Sequence, residues 1–400
     1  MIDAGALAEA EARLEPVVFR TPAVPARWLS ELVGGPVYLK CENLQRTGSF
    51  KVRGAYNRIA GLSSAQRANG VVAASAGNHA QGVALAASLL EVDATVFMPE
   101  GATLPKIEAT LAYGADVRFS GTTVDDALQA ATEFSQATGA ELIHPFDHPD
   151  VIAGQATVGL EIAEQHPEAR TVVVCTGGGG LLAGVHLGLS SAVPDARVVG
   201  VQAAQAASYP PSLKAGRPVP LLEMNTMADG IAVAKPGSLP FSIIQQAGIE
   251  IVTVDDEQIA RAVLNCLERS KLVVEPSGAA GIAAVLADPG AFEPPVVITL
   301  SGGNVDPLLL LRIIQRGLVA AGRYVVISAR IPDTPGALER LLARIAEMKA
   351  NVVTVSHNRV DPRLHVDECA VVVEVEVRGA DHTGELVAAL QADGLAVTVG

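Results

Sequence analysis

The sequence predicts an α/β protein whose long first region has a mainly parallel sheet and whose short second region is ferredoxin-like. Between about residues 37 and 320, short Val-rich runs alternate with longer Ala/Leu-rich amphipathic segments. A run that is apolar on both faces suits a parallel strand covered by helices on each side. After Gly322 the apolar residues instead alternate with polar ones, which is typical of antiparallel strands with one solvated face.

The first region contains four continuous apolar runs that we predict to be buried strands. They are Val71–Ala74, Thr171–Cys175, Val198–Val201 and Val296–Leu300. The intervals between them are long enough for crossover helices, one of which is predicted over Ala80–Leu90. These elements belong to a catalytic domain that we place at residues 1–320.

The second region, residues 323–400, has the order β-α-β-β-α-β in about 78 residues. Its predicted elements are strands Val325–Ile331, Val352–His357, Cys369–Val377 and Leu395–Val399, with helices Ala337–Met348 and about Glu385–Ala392. Pro335 and Gly336 precede the first helix, as is common where a helix begins. We therefore expect a separate small domain.

Charge and cysteine content exclude several function classes. The chain of 400 residues has 29 Lys+Arg and 43 Asp+Glu, a net charge of −14, and no basic stripe, which argues against nucleic-acid or membrane-surface partners. No secretory signal or charge-free spanning segment is visible. The four cysteines are scattered and form no CxxC pair, which argues against a zinc site or a disulfide framework. We expect a cytoplasmic protein.

Four consecutive glycines, Gly177–Gly180, separate a predicted buried strand from an amphipathic segment. Such a turn presents N–H groups at the positive end of a helix, which suits a phosphate group, although a plain tight turn is the alternative. Gly178, Gly180 and Ala183 also fit the dinucleotide fingerprint. That fingerprint requires an acidic residue at the end of the next strand, where this chain has Gln202.

Lys51 lies in a glycine-containing loop directly after Phe50. A lone loop lysine is usually a solvated charge. A lysine beside an apolar wall loses solvation, which lowers its pKa and favours a nucleophilic role. A desolvated lysine together with a phosphate-binding turn is what an aldehyde cofactor with a phosphate group would need.

Four motifs in order along residues 15–320 resemble those of the threonine dehydratase (threonine ammonia-lyase) family of pyridoxal-phosphate enzymes. The motifs are Cys41–Ala55, Ser75–Gly82, Gly177–Leu181 and Ser301–Asn304. The resemblance implies the tryptophan-synthase-β-like fold, fold type II, with two open parallel α/β subdomains. The smaller subdomain would be inserted at about residues 52–145. Pyridoxal 5′-phosphate is the implied cofactor.

The resemblance also implies a role for each matching residue. Lys51 would bind the cofactor aldehyde and act as the general base, and Ser301 would contact the pyridine nitrogen. The other implied cofactor contacts are Phe50, Asn78 at the ring hydroxyl, and the phosphate-binding residues Gly177, Gly178, Gly179, Gly180 and Leu181. The implied substrate-binding residues open a helix, whose N–H groups suit a carboxylate; they are Ser75, Ala76, Gly77, Asn78 and His79.

Two differences from related enzymes limit which reaction and which metal sites we expect. Serine racemases of this type carry a second serine where this chain has Ala76, so racemisation is not expected. Some relatives bind a divalent ion through carboxylates that match the segment Gln202–Ser208, which contains none here. Pro145 interrupts the one i,i+4 histidine pair, His144 and His148. We therefore predict no metal site.

The C-terminal region resembles an ACT domain, an amino-acid-sensing module, through its segment Pro332–Leu338. The resemblance implies an effector at Asp333, Pro335 and Gly336, with Asn351 as a polar partner for its amino group. The alternative is that Pro335 and Gly336 only begin the helix. Family analogy also implies a homodimer or homotetramer.

The expected activity is β-elimination of L-threonine to 2-oxobutanoate and ammonia, with side activity on L-serine. In the family the cofactor phosphate is the implied acid for the leaving hydroxyl. Serine as the main substrate, a nicotinamide oxidoreductase and a non-enzymatic amino-acid sensor are the alternatives. The sequence leaves open the effector, the sign of regulation, and a biosynthetic role toward isoleucine as against a degradative one.

Overall fold

The computed structural model describes residues 2–320, 322–360 and 364–399. The chain divides into two units, residues 1–306 and 307–400. The first unit contains every motif with an expected catalytic role. The helix Pro307–Ala320, which the sequence places at the end of the catalytic domain, groups with the second unit.

Sixteen α-helices, α1 to α16, occur in the described residues. In chain order they are Ala4–Leu14, Arg27–Val33, Lys51–Ala60, Ser64–Ala68, Asn78–Leu89, Leu104–Ala112, Val124–Thr138, Pro149–Gln165, Gly180–Leu189, Tyr209–Ala215, Ser238–Gln246, Asp256–Asn265, Pro276–Ala287, Pro307–Ala320, Ala337–Glu347 and Ala380–Ala392. Short 3₁₀ turns lie at Glu42–Leu44, Arg46–Gly48, Ala204–Ala206, Asp229–Ile231 and Pro289–Ala291, and α12 continues as a π-helical turn over Cys266–Ser270.

Fourteen strands, β1 to β14, occur in the same residues. They are Ala23–Pro25, Val37–Lys40, Val71–Ala74, Ala94–Met98, Asp116–Phe119, Glu141–Leu142, Thr171–Cys175, Arg197–Ala203, Glu250–Val254, Val296–Thr299, Tyr324–Pro332, Asn351–Asn358, Glu368–Glu376 and Ala396–Val399.

The larger sheet of the first unit has the order β1-β2-β10-β7-β8-β9, and all its pairings are parallel except that of β1 with β2. Its central strands β7 and β10 are completely buried. Helices cover both faces, so only continuous apolar runs fit there. The predicted α/β class with a mainly parallel sheet is confirmed.

A second, four-stranded parallel sheet of the first unit has the order β5-β4-β3-β6. Small residues let its helices approach closely. A Cβ on Gly82 of α5 would lie 3.0 Å from the carbonyl carbon of Lys51, and a Cβ on Gly154 of α8 would lie 2.6 Å from the carbonyl oxygen of Arg53. These contacts fix α3, which begins at Lys51, between α5 and α8.

A buried ion network holds the start of α3. The Arg53 guanidinium donates to both carboxylate oxygens of Glu42 at 2.8 Å and to Glu161 at 2.7 Å. Lys40 also donates to Glu161. Arg53, Glu42 and Lys40 are fully buried. Since every charge in the network has a partner of opposite sign, the network tolerates its burial and fixes the helix that carries Lys51.

The second unit contains α14 and a β-α-β-β-α-β fold with an antiparallel sheet of order β12-β13-β11-β14. Alternate residues of β11 and β13 are buried against α15 and α16, as the period-two pattern predicts. Helix α16 begins at Ala380, five residues before the predicted start.

No helix in the described ranges is both long and apolar enough to cross a membrane. All four cysteines are free and buried.

Candidate active site

Ser49 and Gly302 form an isolated antiparallel bridge between two loops that are about 250 residues apart in sequence. The Phe50 N–H donates to the Ser301 carbonyl oxygen at 3.2 Å next to this bridge. The loop that carries Lys51 is thereby fixed to the loop that follows β10. The bridge brings the two predicted cofactor contacts, Lys51 and Ser301, to the same site.

Lys51 is the first residue of α3 and is partly buried. Its ammonium donates to the Pro145 carbonyl oxygen at 3.1 Å and lies 5.1 Å from the centre of the Phe50 ring. Burial lowers the Lys51 pKa to about 8, and the nearby Glu275 carboxylate opposes this shift. The amine is therefore much closer to its neutral, nucleophilic form at physiological pH than an ordinary lysine.

The glycine turn Gly177–Gly180 leads from β7 into α9 and is packed so tightly that side chains are excluded. A Cβ on Gly178 would overlap the Phe146 ring, and one on Gly179 would overlap the Tyr209 hydroxyl. Gly179 also has a φ of 98°, which favours glycine. Among the described residues, none accepts a hydrogen bond from an N–H group of this turn. The turn is a cradle for an anionic group at a helix N-terminus.

Asn78, the first residue of α5, lies in a polar chain of three side chains. Its Nδ2 donates to Oε1 of Glu275 at 2.7 Å, and its Oδ1 accepts from Nδ2 of Asn304 at 2.7 Å. Glu275 is 5% exposed, and burial raises its pKa to about 7, with further increase from Asp229. The Asn78 bond and the cations Lys51 and Lys106 lower that pKa, which limits the increase.

The segment Ser75–His79 connects β3 to α5. The Ser75 hydroxyl accepts from the Gly77 N–H at 3.1 Å, which shapes the turn. His79 Nε2 lies 2.7 Å from the Ile143 carbonyl oxygen, and burial lowers the His79 pKa to about 3, so the ring is neutral. Within this segment, the backbone N–H groups of Ala76, Asn78 and His79 donate to no described residue.

Ser301 is 4% exposed and directly follows Leu300 after β10. Leu181 is also buried, in the first turn of α9, so its part in the site is limited to its backbone. The segments after β3, β7 and β10 lie at the carboxyl ends of parallel strands, where open α/β sheets bind ligands. The structure thus brings together the residues that the sequence predicts for the cofactor.

Sequence reasoning missed three residues that border this site. Glu275 accepts a hydrogen bond from the Asn78 amide. Phe146 covers the glycine turn and contacts the neutral ring of His144. Burial lowers the His144 pKa to about 4. The only signal for Glu275 was an acidic residue after an apolar run and before a proline, which is also a common helix start.

Comparison with known proteins identifies the family. A family model described as "Pyridoxal-phosphate dependent enzyme" matches residues 14–302, which include the lysine, the glycine cradle and Glu275. The chain belongs to this family. The site fits the cofactor, because the cradle excludes side chains and offers unpaired N–H groups to a phosphate. The partly buried Lys51 amine, of lowered pKa, donates to the carbonyl oxygen of Pro145, the residue before the Phe146 that covers the cradle.

Three proteins similar to this chain are a sequence relative and two solved structures. A Thermotoga maritima protein named L-threonine ammonia-lyase is 46% identical over 399 residues and covers 100% of both chains. The structure of threonine deaminase isoform 2 from Solanum lycopersicum has a TM-score of 0.74 at 38% identity, covering 77% of this chain and 91% of that one. The structure of maize serine racemase also has a TM-score of 0.74, at 36% identity, covering 80% of this chain and 98% of that one.

The second unit has a pocket of about 330 Å³ at the start of α15. It is lined by Ile331, Pro332, Asp333, Thr334, Pro335, Gly336, Ala337, Leu338, His357, Arg359 and Cys369. Three of the four predicted effector contacts lie here. Asn351 lies at the opposite end of β12 from His357 and donates to Glu376 at 2.9 Å, so a single chain does not bring it into the pocket.

The same pocket contains the one group of side chains in the described residues that could hold a metal ion, formed by Asp333, His357 and Cys369. Their donor atoms lie within 4.8 Å of one another. However, both Asp333 carboxylate oxygens accept from Arg359 Nε, at 3.0 and 2.9 Å. The Arg359 cation already pairs with the Asp333 carboxylate, so we do not propose a metal ion at this pocket.

Proposed function

We propose that this protein is a pyridoxal-phosphate-dependent threonine ammonia-lyase that converts L-threonine to 2-oxobutanoate and ammonia. The observation that carries the proposal is the partly buried Lys51, of pKa about 8, fixed beside Ser301 by the bridge between Ser49 and Gly302. The Thermotoga maritima relative named L-threonine ammonia-lyase, which matches over the full length of both chains, supports the reaction and the substrate.

Four groups of this chain would hold the cofactor. The N–H groups of Gly177–Gly180 would bind its phosphate, Asn78 its ring hydroxyl, Ser301 its pyridine nitrogen and Lys51 its aldehyde carbon. When bound, the cofactor withdraws electrons from the substrate Cα. A serine hydroxyl is a weaker partner for the pyridine nitrogen than a carboxylate, which moderates this withdrawal and favours prompt elimination.

Lys51 also acts on the substrate in this proposal. Its amine, freed when the substrate amine replaces it at the cofactor, would remove the Cα proton, for which a pKa near the working pH is favourable. The Cα–H electron pair forms a double bond as the Cβ–O bond breaks and the hydroxyl leaves. Water then converts the released enamine to 2-oxobutanoate and ammonia. The substrate carboxylate binds the unpaired N–H groups of Ala76, Asn78 and His79 at the start of α5.

L-serine should react as a second substrate. It lacks one methyl group, and a single methyl in a pocket discriminates by only about 1–3 kcal/mol. Racemisation is a second candidate activity, because maize serine racemase has a similar fold. Ala76 offers no hydroxyl at the position where the racemases of this type carry a serine, so we propose elimination as the main reaction.

We further propose that residues 323–400 form an ACT domain and that residues 1–320 form the catalytic domain, with the small subdomain at about residues 52–145. An amino-acid effector would bind at the turn of Asp333, Pro335 and Gly336, supported by the pocket there. The chain would form a homodimer or homotetramer in the cytoplasm, and Asn351 could contact the effector only across such an interface.

Product analysis tests the proposed activity. Purified protein loaded with pyridoxal phosphate should convert L-threonine to 2-oxobutanoate and ammonia in equal amounts. Lys51→Ala should leave no turnover above about one part in a thousand, a barrier increase of about 4 kcal/mol. D-serine formed from L-serine faster than pyruvate would contradict the assignment, as would turnover of Lys51→Ala within tenfold of the wild type.

A further inference from the structure

Glu275 is a buried carboxylate that the proposed reaction does not yet use. It precedes α13, and its backbone N–H donates to the Gly302 carbonyl oxygen at 3.1 Å. Its side chain makes no helix-capping hydrogen bond, although it stands at the N-cap. Removing a carboxylate from water is costly, so its position at the edge of the cofactor site needs a reason other than helix formation.

The Glu275 carboxylate fixes the orientation of the Asn78 carboxamide. An ionised carboxylate only accepts hydrogen bonds, so the Asn78 Nδ2, rather than its Oδ1, must face Glu275 at 2.7 Å. The Asn78 Oδ1 then accepts from Asn304 at 2.7 Å. Rotation of the amide would place two acceptors face to face on one side and two donors on the other.

This orientation leaves one hydrogen of Asn78 Nδ2 uncommitted, since that nitrogen donates to no further described residue. The neighbouring Gly302 leaves space for this contact, because a Cβ there would lie 3.0 Å from Asn78 Nδ2 and would overlap Glu275 Oε1. The uncommitted hydrogen is suited to an acceptor oxygen on a bound ring.

We propose that Glu275 is a positioning residue that holds the Asn78 carboxamide ready to donate to the ring hydroxyl oxygen of pyridoxal phosphate. This inference rests on the cofactor contact proposed above for Asn78. It adds that the contact depends on the carboxylate of the residue that precedes α13, and that a glutamine, whose Oε1 also accepts, can replace that carboxylate.

Three charged groups and one amide influence this carboxylate. Lys51 approaches from α3, Lys106 from α6 and Asp229 from the turn Asp229–Ile231, in addition to the Asn78 amide from α5. With a pKa of about 7, Glu275 is ionised above neutral pH and protonated below it. A protonated carboxyl can itself donate, so the fixed orientation of Asn78 weakens as the pH falls.

The test uses two non-covalent ligands that differ only in the ring hydroxyl, pyridoxine 5′-phosphate and its 3-deoxy analogue. The measured quantity is the ratio of their dissociation constants, which isolates the hydroxyl contribution from the phosphate and from Lys51. Cofactor-free full-length protein is titrated at pH 8 as wild type, Glu275→Ala and Glu275→Gln. Glu223→Gln, which alters an exposed glutamate, is the control.

We expect Glu275→Ala to weaken pyridoxine 5′-phosphate binding about tenfold while leaving the 3-deoxy analogue within twofold. Glu275→Gln and Glu223→Gln should both stay within twofold for both ligands. Equal weakening of both ligands by Glu275→Ala would overturn the positioning role. So would a glutamine variant as weak as the alanine variant, because the charge itself would then be required.

A pH comparison keeps the proposal testable if Glu275→Ala does not fold. The preference of the wild type for the hydroxyl-bearing ligand should fall between pH 8 and pH 6, and Glu275→Gln should lack this fall. Identical pH profiles would contradict the proposal. A wild type that binds neither ligand would instead overturn the cofactor assignment itself, which distinguishes that failure from the failure of Glu275.

Discussion

Ser49 pairs with Gly302 across two loops that the chain separates by about 250 residues. The pairing sets the position of Lys51 relative to Ser301, and it leaves the fully buried Ser49 hydroxyl without a hydrogen-bond partner among the described residues. The loop that carries Lys51 is thus anchored through backbone contacts, which do not involve the lysine side chain.

The lowered pKa of Lys51 predicts how the cofactor is captured. Only the neutral amine attacks an aldehyde, so the rate of covalent capture by cofactor-free protein should rise with pH and level off above about pH 8. An ordinary lysine amine would still gain reactivity up to about pH 10.4. Stopped-flow absorbance with pyridoxal phosphate measures this profile, with Nα-acetyl-lysine as the control. A rate that keeps rising beyond pH 9.5 would contradict the assigned environment.

The glycine cradle predicts that Gly179→Ala weakens pyridoxal phosphate binding at least tenfold, about 1.4 kcal/mol. The new Cβ would overlap the Tyr209 hydroxyl, and the φ of 98° is strained for alanine. Gly384→Ala in α16, where a Cβ meets nothing within 4 Å, is the matched control and should bind the cofactor normally. Fluorescence titration compares the two variants. Affinity within twofold of the wild type for Gly179→Ala would show that the turn does not hold the phosphate.

The sequence predicted most of the first unit because its buried strands are continuous apolar runs. Strands β3, β7 and β10 lie where the runs occur, within a residue or two. Strand order could not be predicted in the same way, because β10 lies between β2 and β7 through contacts distant in sequence. Helix α16 was predicted to start late because its first turn, at Ala380, is polar and lacks an apolar stripe.

The residues of the candidate site differ in the same way: some lie in local motifs, and others are brought together only by folding. Lys51 and the glycine turn stand in local motifs, so a single stretch of sequence is enough to single them out. Glu275 reaches Asn78 across 197 positions, and only the folded chain brings them together. Asn351 was selected for its place at the start of a strand, yet β12 carries it away from the pocket at His357.

The buried ion network predicts a large difference between two arginine substitutions. Arg53→Met would leave the Glu42 and Glu161 carboxylates without their main partner, at a cost of about 3–5 kcal/mol in the free energy of unfolding. Arg27→Met removes only an exposed pair with Glu31, which is worth about 0–1 kcal/mol. Urea denaturation of both variants measures the difference. Equal stability of the two would show that the network does not fix α3.

The pocket of the second unit predicts an amino-acid response that Gly336→Leu removes. Gly336 has a φ of 84°, and a Cβ there would lie 3.3 Å from an Arg340 nitrogen, so leucine should crowd the turn. An effector regulates only when it binds two states of the enzyme unequally, so the unliganded rate should stay nearly unchanged. Thermal shift and threonine turnover with isoleucine and valine measure the response. A full-length chain that responds to none of the standard amino acids, apart from active-site competition, would contradict a sensing role.

Reductive labelling with borohydride tests most directly whether Lys51 is the residue that binds the cofactor. The reagent reduces the bond between cofactor and lysine, and peptide mass spectrometry then locates the pyridoxyl group. We expect the label on Lys51 alone, its loss in Lys51→Ala, and loss of threonine turnover in proportion to labelling. A label on Lys40 or Lys106 in an active wild type would contradict the assignment of Lys51.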